Sequence, residues 1–300
     1  MVLPVIYHEI YSQLELPEKH RYPILKYKFL YESLLSQFSQ NIKIFHPNSV
    51  SLKKVFRVHD LEYINQLINN KLSLSKMRRI GFPWSEQLIK RTLLSTGGTC
   101  LTAEIAINHG VGIHCSGGYH HAHSSFGSGF CLINDLAIAA QSIIDQSLAT
   151  KILIIDCDVH QGDGTATIFE KNPDILTLSI HCEKNFPSRK PNSDYDIPLE
   201  REMKDYEYLD YLKSIIPIII KQNNVDFVLY DAGVDVHQDD ELGYLKLTNQ
   251  GIYERDFFIL NLCKNLSLPV ACVIGGGYRN NHQDLVPAHM QLFKAAIEVF

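Results

Sequence analysis

Asp156, Asp158 and His160 fall at alternate positions in the segment ILIIDCDVHQGDGT. On an extended strand end that spacing turns all three side chains to one side. Carboxylate oxygen and imidazole nitrogen are both zinc donors, and a catalytic zinc takes three protein ligands with a fourth position left for water. The same run also reads as a polar turn whose carboxylates are satisfied by hydrogen bonds. A further ligand is on offer in DAGVDVHQDD, where another apolar run ends in Asp231, Asp235, His237, Asp239 and Asp240. The Ala232-Gly233 step suits a tight turn at a strand end, which favours Asp231 and Asp235. Asp239 and Asp240 read as solvated loop acids, and His237 as an exposed loop histidine.

Two more segments carry chemistry. CSGGYHHAHSSFGSGFCLIND sets His120 and His121 side by side after a glycine pair, with His123 close behind. The glycines make this a loop, and adjacent imidazoles suit acid and base work when carboxylates tune them. The bland reading is a histidine-rich loop that binds nothing. VIGGGYRNN puts Tyr278 after three glycines. Its phenol is either an oxyanion donor or a packed aromatic on a turn. The glycines match neither dinucleotide-binding nor P-loop spacing.

These segments need a scaffold that brings them together. Apolar runs at 2–8, 151–160, 174–181, 226–235 and 268–278 suit strands buried on both faces. Helical periodicity fills the intervals at 24–38, 61–69, 96–110, 133–147, 206–223 and 250–264. Alternation of this kind predicts an α/β fold: one domain over residues 1–300, with a mainly parallel sheet flanked by helices. The polar and glycine residues sit at the C-terminal ends of the strands, the edge where such sheets hold ligands. Residues 182–200 lack periodicity and read as a surface loop at a pocket mouth.

Bulk properties narrow the function. A formal charge of -5 gives no electrostatic footprint for nucleic acid, so no direct nucleic-acid contact is expected. No apolar stretch reaches bilayer-spanning length and the start has no signal-peptide pattern, so the expected location is the cytoplasm. The seven cysteines, odd in number and without a CxxC pair, read as buried reduced thiols, with a nucleophilic role for Cys131 or Cys157 as the alternative.

Set side by side, GGYHHA (117–122), GFCLIND (129–135), DCDVHQGDGT (156–165), LSIH (178–181), DAGVD (231–235) and GGGY (275–278) resemble the histone deacetylase family, in particular its class IV-like branch and related bacterial amidohydrolases. The motifs follow the family's order over nearly the full length. The resemblance implies the arginase/deacetylase fold and one zinc ion held by Asp158, His160 and Asp235 at the bottom of a tunnel. It also implies that His121, oriented by Asp163, takes a proton from water. His120, oriented by Asp156, assists electrostatically or protonates the leaving amine, and Tyr278 stabilises the oxyanion. Phe130 and Phe186 are implied as tunnel walls, with Gly129 offering a carbonyl to the substrate. A structural potassium ion would draw on Asp156, Asp158, His160, Ser179 and Ile180.

The implied reaction is hydrolysis of an N-acyl-lysine in a protein, or of a small acylated amine. Polyamine-specific relatives carry a glutamate seven residues beyond the last metal ligand, where this chain has Leu242 with Glu241 beside it. Two other readings are a binuclear manganese ureohydrolase, whose paired D-A-H-x-D pattern is missing, and a silent acyl-lysine binding module, which the intact Tyr278 and histidines oppose.

Overall fold

Every predicted apolar run becomes a strand in the computed structural model, which describes residues 2–300. The strands are β1 (Leu3–Ile6), β2 (Ile42–Phe45), β3 (Val111–His114), β4 (Ile152–Asp156), β5 (Ile175–Cys182), β6 (Tyr195–Leu199), β7 (Phe227–Asp231) and β8 (Val270–Val273). They form one eight-stranded sheet in the order β2-β1-β3-β8-β7-β4-β5-β6. All neighbours pair in parallel. Helices shield the faces, so β4 is buried along its whole length. Each of its four aliphatic side chains contributes about 1.5–3 kcal/mol of burial free energy.

Because the sheet is parallel, every strand's C-terminal end lies on the same edge. The chain lays down β3 and β4 first and later inserts β7 and β8 between them. The segments following β3, β8, β7 and β4 therefore emerge side by side, and these carry the paired histidines, Tyr278, Asp235 and the Asp158–His160 pair.

Two helices fix that edge. The helix Glu86–His109 starts where the Ser85 side chain accepts from Leu88 N–H and stops at Gly110, whose φ of 81° is the left-handed conformation that suits glycine. It begins ten residues before the predicted segment. The helix Asp135–Asp145 is capped by Asn134, whose side-chain oxygen accepts from Ala137 N–H at 2.9 Å. The same amide donates to the carbonyl of Ala122 at 3.1 Å and to Thr165 Oγ1 at 3.0 Å, tying the helix start to the histidine loop.

The structure corrects three expectations about elements. Strand β6 lies within the supposed loop 182–200; it is a half-buried edge strand containing Pro198, which weakens its sequence signal. Strands β2 and β3 are additions to the predicted set: β2 carries Lys43 among its four residues, and β3 follows the helix Glu86–His109 after a single glycine. Strand β4 ends at Asp156, so Asp158 and His160 sit on the loop beyond it and no strand alternation aims them. No helix is long and apolar enough to cross a membrane among the described residues, and all seven cysteines are buried and free.

Candidate active site

The loop after β4 bends so that His160 faces the segment after β7. His160 Nδ1 lies 2.9 Å from Asp158 Oδ1 and 3.1 Å from Asp235 Oδ2. One oxygen of each carboxylate is tethered by backbone: Asp158 Oδ2 accepts from Gly276 N–H at 2.9 Å, and Asp235 Oδ1 from Val159 N–H at 2.8 Å. The other oxygens converge on the imidazole, and the three ligand atoms lie within 4.8 Å of one another with all three residues buried. Burial, then the charge of Asp158, pushes the Asp235 carboxyl up to about 6. Burial opposes a charged His160, yet its hydrogen bonds to Asp158 and Asp235 raise it to about 10. Two carboxylates and one imidazole nitrogen aimed at a common point form a donor set that fits a divalent cation, which would replace that proton.

Above this cluster stand two histidine–aspartate pairs. His120 Nδ1 lies 2.7 Å from Asp156 Oδ2, and His121 Nδ1 lies 2.6 Å from Asp163 Oδ1. The Nε2 atoms of the two histidines are 3.1 Å apart. Their surroundings separate them. Burial and the neighbouring His120 push His121 down to about 4. Burial also works against a charged His120, but Asp156 and Asp158 outweigh it and hold His120 well above the ordinary histidine range. His120 therefore keeps its proton, while His121 stays neutral with Nε2 as an acceptor. Asp163 Oδ2 also meets His123 Nε2 at 3.2 Å, a second brace on the same carboxylate.

Tyr278 leans over the site, with its ring centroid 6.3 Å from that of His160 and 5.9 Å from that of Phe130. Burial, reinforced by Asp158 and Asp235, holds its phenol well above the ordinary range, so it keeps its proton and can donate. Its backbone N–H donates to Asp240 Oδ2 at 2.6 Å. Phe130 adopts a φ of 65° and donates its N–H to the carbonyl of Ile80 at 2.7 Å. Phe186 meets His121 edge-on with centroids 4.8 Å apart. Phe130, Phe186, Gly129 and Leu242 line a cavity of about 720 Å³ that also touches His121, His160 and Tyr278. Of the potassium candidates, Asp158 and His160 belong to the cluster described above, and the others adjoin it. Asp156 pairs in register with Ser179 on β5, and the β5 end at Cys182 donates to the carbonyl of Val159 at 2.9 Å. Ile180 is fully buried between them.

The acids and histidine of the DAGVDVHQDD segment need revision. His237 is buried, not exposed, and its Nδ1 meets Arg279 Nη2 at 2.6 Å. Asp240 is no solvated acid: besides Tyr278 it accepts from the N–H groups of Leu242 and Gly243 at 2.8 and 2.9 Å. Asp231 is fully buried, and neither carboxylate oxygen has a hydrogen-bond partner.

Residues 20–292 match the family described as histone deacetylase domain. The chain belongs to the histone deacetylase family. An uncharacterised protein of Picosynechococcus sp. strain PCC 7002 is 44% identical over 301 residues, covering 100% of both chains. The acetoin utilization protein AcuC of Staphylococcus aureus is 26% identical, covering 98% of this chain and 81% of its own. Histone deacetylase 2 of Arabidopsis thaliana is 25% identical over 91% of this chain and 74% of its own. The crystal structure of the HDA15 HD domain superposes with a TM-score of 0.83 at 21% identity, covering 99% of this chain and 89% of that one, and so shares the arginase/deacetylase fold. Membership in the histone deacetylase family makes the chain a deacetylase-type hydrolase.

Three residues around this histone deacetylase site carried no readable signal. Lys26, buried on the helix Lys26–Phe38, donates to the carbonyl of Gly275 at 2.8 Å, and burial pulls its amine down to about 8 despite the nearby aspartates. Arg255, fully buried, donates to the carbonyls of Gly233 at 2.7 Å and Ala232 at 3.2 Å, bracing the turn before Asp235. Asp135 accepts from Tyr119 N–H at 2.7 Å and Gly118 N–H at 3.2 Å, fixing the entry to the histidine pair. A lone charge inside a helical pattern reads as a solvated face, which is why the first two escaped. Asp135 closes the GFCLIND motif, where its sequence context marks no role.

Proposed function

We propose that this chain is a zinc-dependent hydrolase of N-acyl-lysine, in proteins or as a small acylated amine, working in the cytoplasm. The observation that carries this reading is the convergence of Asp158, His160 and Asp235 below the His120–His121 pair, at the foot of a cavity walled by Phe130 and Phe186. Zinc held by Asp158, His160 and Asp235 would supply Lewis acidity, acidifying a water molecule and polarising the acyl carbonyl. Potassium beside Asp156, Asp158, His160, Ser179 and Ile180 would supply a fixed positive charge to that buried acidic loop. Seven buried free thiols suit a reducing compartment.

The chain's own residues perform the remaining steps. Phe130 and Phe186 grip the lysine methylenes and exclude water from the aliphatic stretch, while the carbonyl of Gly129 accepts from the substrate amide N–H. With Nδ1–H held by Asp163, His121 presents the lone pair of Nε2 and takes the proton from the attacking water. His120, kept charged by Asp156, stabilises the negative charge that builds up and assists protonation of the leaving amine. The Tyr278 hydroxyl donates to the oxyanion, where a pre-positioned donor acts most strongly.

The test is turnover of acetyl-, trifluoroacetyl- and myristoyl-lysine coumarin reporters by the zinc-loaded protein. Release of the acyl group from at least one is expected. No turnover with any of them under zinc-replete conditions sinks the reading.

A further inference from the structure

Two guanidinium groups outside any ion pair stand at the mouth of the tunnel. Arg21 and Arg79 both line the cavity that leads down to His121, His160 and Tyr278. Both are exposed, and among the described residues neither forms an ion pair.

Their mounting is rigid. The helix Leu74–Ile80 ends at the tunnel wall, where the Arg79 carbonyl accepts from Gly129 N–H at 3.3 Å and the next carbonyl, of Ile80, accepts from Phe130 N–H at 2.7 Å. The Arg79 guanidinium lies 5.1 Å from the centroid of Phe126. Arg21 sits between two anchored rings. His20 donates from Nε2 to the carbonyl of Gly81 at 2.7 Å and stacks on Phe82, while Tyr22 packs 5.5 Å from Phe130. Two chain segments far apart in sequence thus anchor the backbone that carries two cations to the wall that holds Phe130.

Positive charge continues beyond the mouth. A basin of about 300 Å³ shares Arg21 and Glu241 with the tunnel opening and adds Lys19, Arg279 and Glu18. Mouth and basin together hold Lys19, Arg21, Arg79 and Arg279 against Glu18 and Glu241, with Arg279 also paired to Asp239 at 3.8 Å, which leaves a net positive charge in a chain whose formal charge is -5. The cations are therefore concentrated here against the sign of the whole molecule. Of the two acids, Glu241 already has Oε1 engaged by the backbone N–H of Asn280 at 2.7 Å.

We propose that Arg21 and Arg79 select the substrate: an N-acylated amine whose amine part carries a carboxylate just beyond the methylenes, in preference to an acyl-lysine set among cationic residues. This rests on the hydrolase reading above. With the acyl amide at the tunnel floor and the methylenes between Phe130 and Phe186, the groups around the lysine α-carbon emerge beside the two arginines. A carboxylate there meets two guanidinium groups that accept planar, two-pronged pairing. A flanking lysine or arginine meets repulsion. Rim charges act mainly on encounter and retention, so selection falls on KM and weakens with salt. The carboxylate can come from the α-carboxyl of an acylated amino acid or from acidic residues flanking an acyl-lysine in a protein.

The experiment compares two matched pairs on the zinc-loaded full chain. One pair is Nα,Nε-diacetyl-lysine and its α-carboxamide, which differ by a single charge. The other is a short acetyl-lysine peptide flanked by glutamates and its lysine-flanked counterpart. Fluorescently labelled forms of all four are also titrated for binding, so that charge preference is read even without hydrolysis. The expected result is a preference of about fivefold or more for the acidic member of at least one pair, residing in KM or Kd and shrinking as salt rises. Preference in the first pair alone identifies an amino-acid carboxylate as the source, and in the second alone an acidic protein segment. Arg21→Glu with Arg79→Glu should abolish or invert the preference, and the milder Arg21→Gln with Arg79→Gln should reduce it. Arg78→Glu, the same charge change on the same helix but off the mouth, should leave the ratio in place. Equal treatment of both members of both pairs, or a preference for the cationic ones, overturns the proposal while turnover keeps the hydrolase reading. A charge preference in binding with no turnover of any substrate supports the rim assignment and removes the hydrolase reading.

Discussion

Asp240 Oδ2 holds the backbone N–H of Tyr278 at 2.6 Å. Through this contact a carboxylate that never reaches the substrate sets the reach of the proposed oxyanion donor, because the peptide it grips belongs to the tyrosine itself. Asp240→Asn keeps the shape but turns one acceptor into a donor that faces an N–H. A buried N–H left facing another donor costs about 1–3 kcal/mol. The expected outcome is a fall in kcat of about ten- to a hundredfold with KM little changed. Tyr278→Phe should lose at least about a hundredfold, the usual scale for an oxyanion donor. Parent-like kcat in Asp240→Asn would show that the tyrosine is positioned by other means.

Metal content gives a second check. Stripping with a chelator should abolish turnover, lower Tm and be reversed by one zinc ion per chain, since a cation that binds only the folded form stabilises it by mass action. Asp235→Ala should remove the ion and the Tm response together. Two ions bound per chain with manganese preferred would instead favour a binuclear ureohydrolase.

The pH profile should carry the mark of His121. Burial and His120 lower its pKa from the ordinary 6.5 to about 4, and Asp163 is the neighbour that raises it. The ring is thus free to accept a proton throughout the range from pH 5 to 8, and the acid limb of kcat/KM should fall well below pH 6.5. Removing the raising partner in Asp163→Asn should shift that limb lower still and reduce its plateau. An acid limb centred at or above pH 6.5, unmoved in Asp163→Asn, would falsify the assignment of His121 as base.

His59 is one of several buried histidines that should contribute to acid lability, and it is locked in one neutral form. Its Nδ1–H donates to the carbonyl of His123 at 3.0 Å, and its Nε2 accepts from Asn134 N–H at 2.9 Å, leaving no site for a second proton. Burial lowers it from 6.5 to about 4. Between those values the unfolded chain binds a proton that the folded chain refuses, so stability falls as pH drops from about 6.5 to about 4. His59→Gln should flatten the slope of Tm against pH over this interval, at some cost in Tm near neutrality. An unchanged slope would place the acid lability elsewhere.

Much of this arrangement was legible in the sequence because the chemistry-bearing residues cluster at the ends of apolar runs. The strands through Ile152–Asp156 and Phe227–Asp231 were readable since full burial on both faces leaves uninterrupted aliphatic stretches. The residues of the proposed site are named through motif order, and Asp158, His160 and Asp235 lie together in the fold, with His120 Nε2 3.8 Å from Asp158. What escaped are the residues that act through other residues. Asp240 looked like one more loop acid because its role is defined by three N–H groups, one of them at Tyr278, and local sequence does not encode that distant contact. Lys26 and Arg255 were hidden for a similar reason: a charge on a helix is ordinarily solvated, and only the tertiary fold turns these two inward.

The sheet order has a consequence for biosynthesis. The two strands that supply Asp235 and Tyr278 are the last to be made, yet they occupy the middle of the sheet. A ribosome-bound chain halted before residue 226 would expose the facing edges of β3 and β4, two rows of unpaired peptide groups with a gap two strands wide between them. Such a fragment has no route to partial activity and every reason to associate with its own kind. Competence therefore arrives in a single event, when residues 226–300 slot into the space left for them.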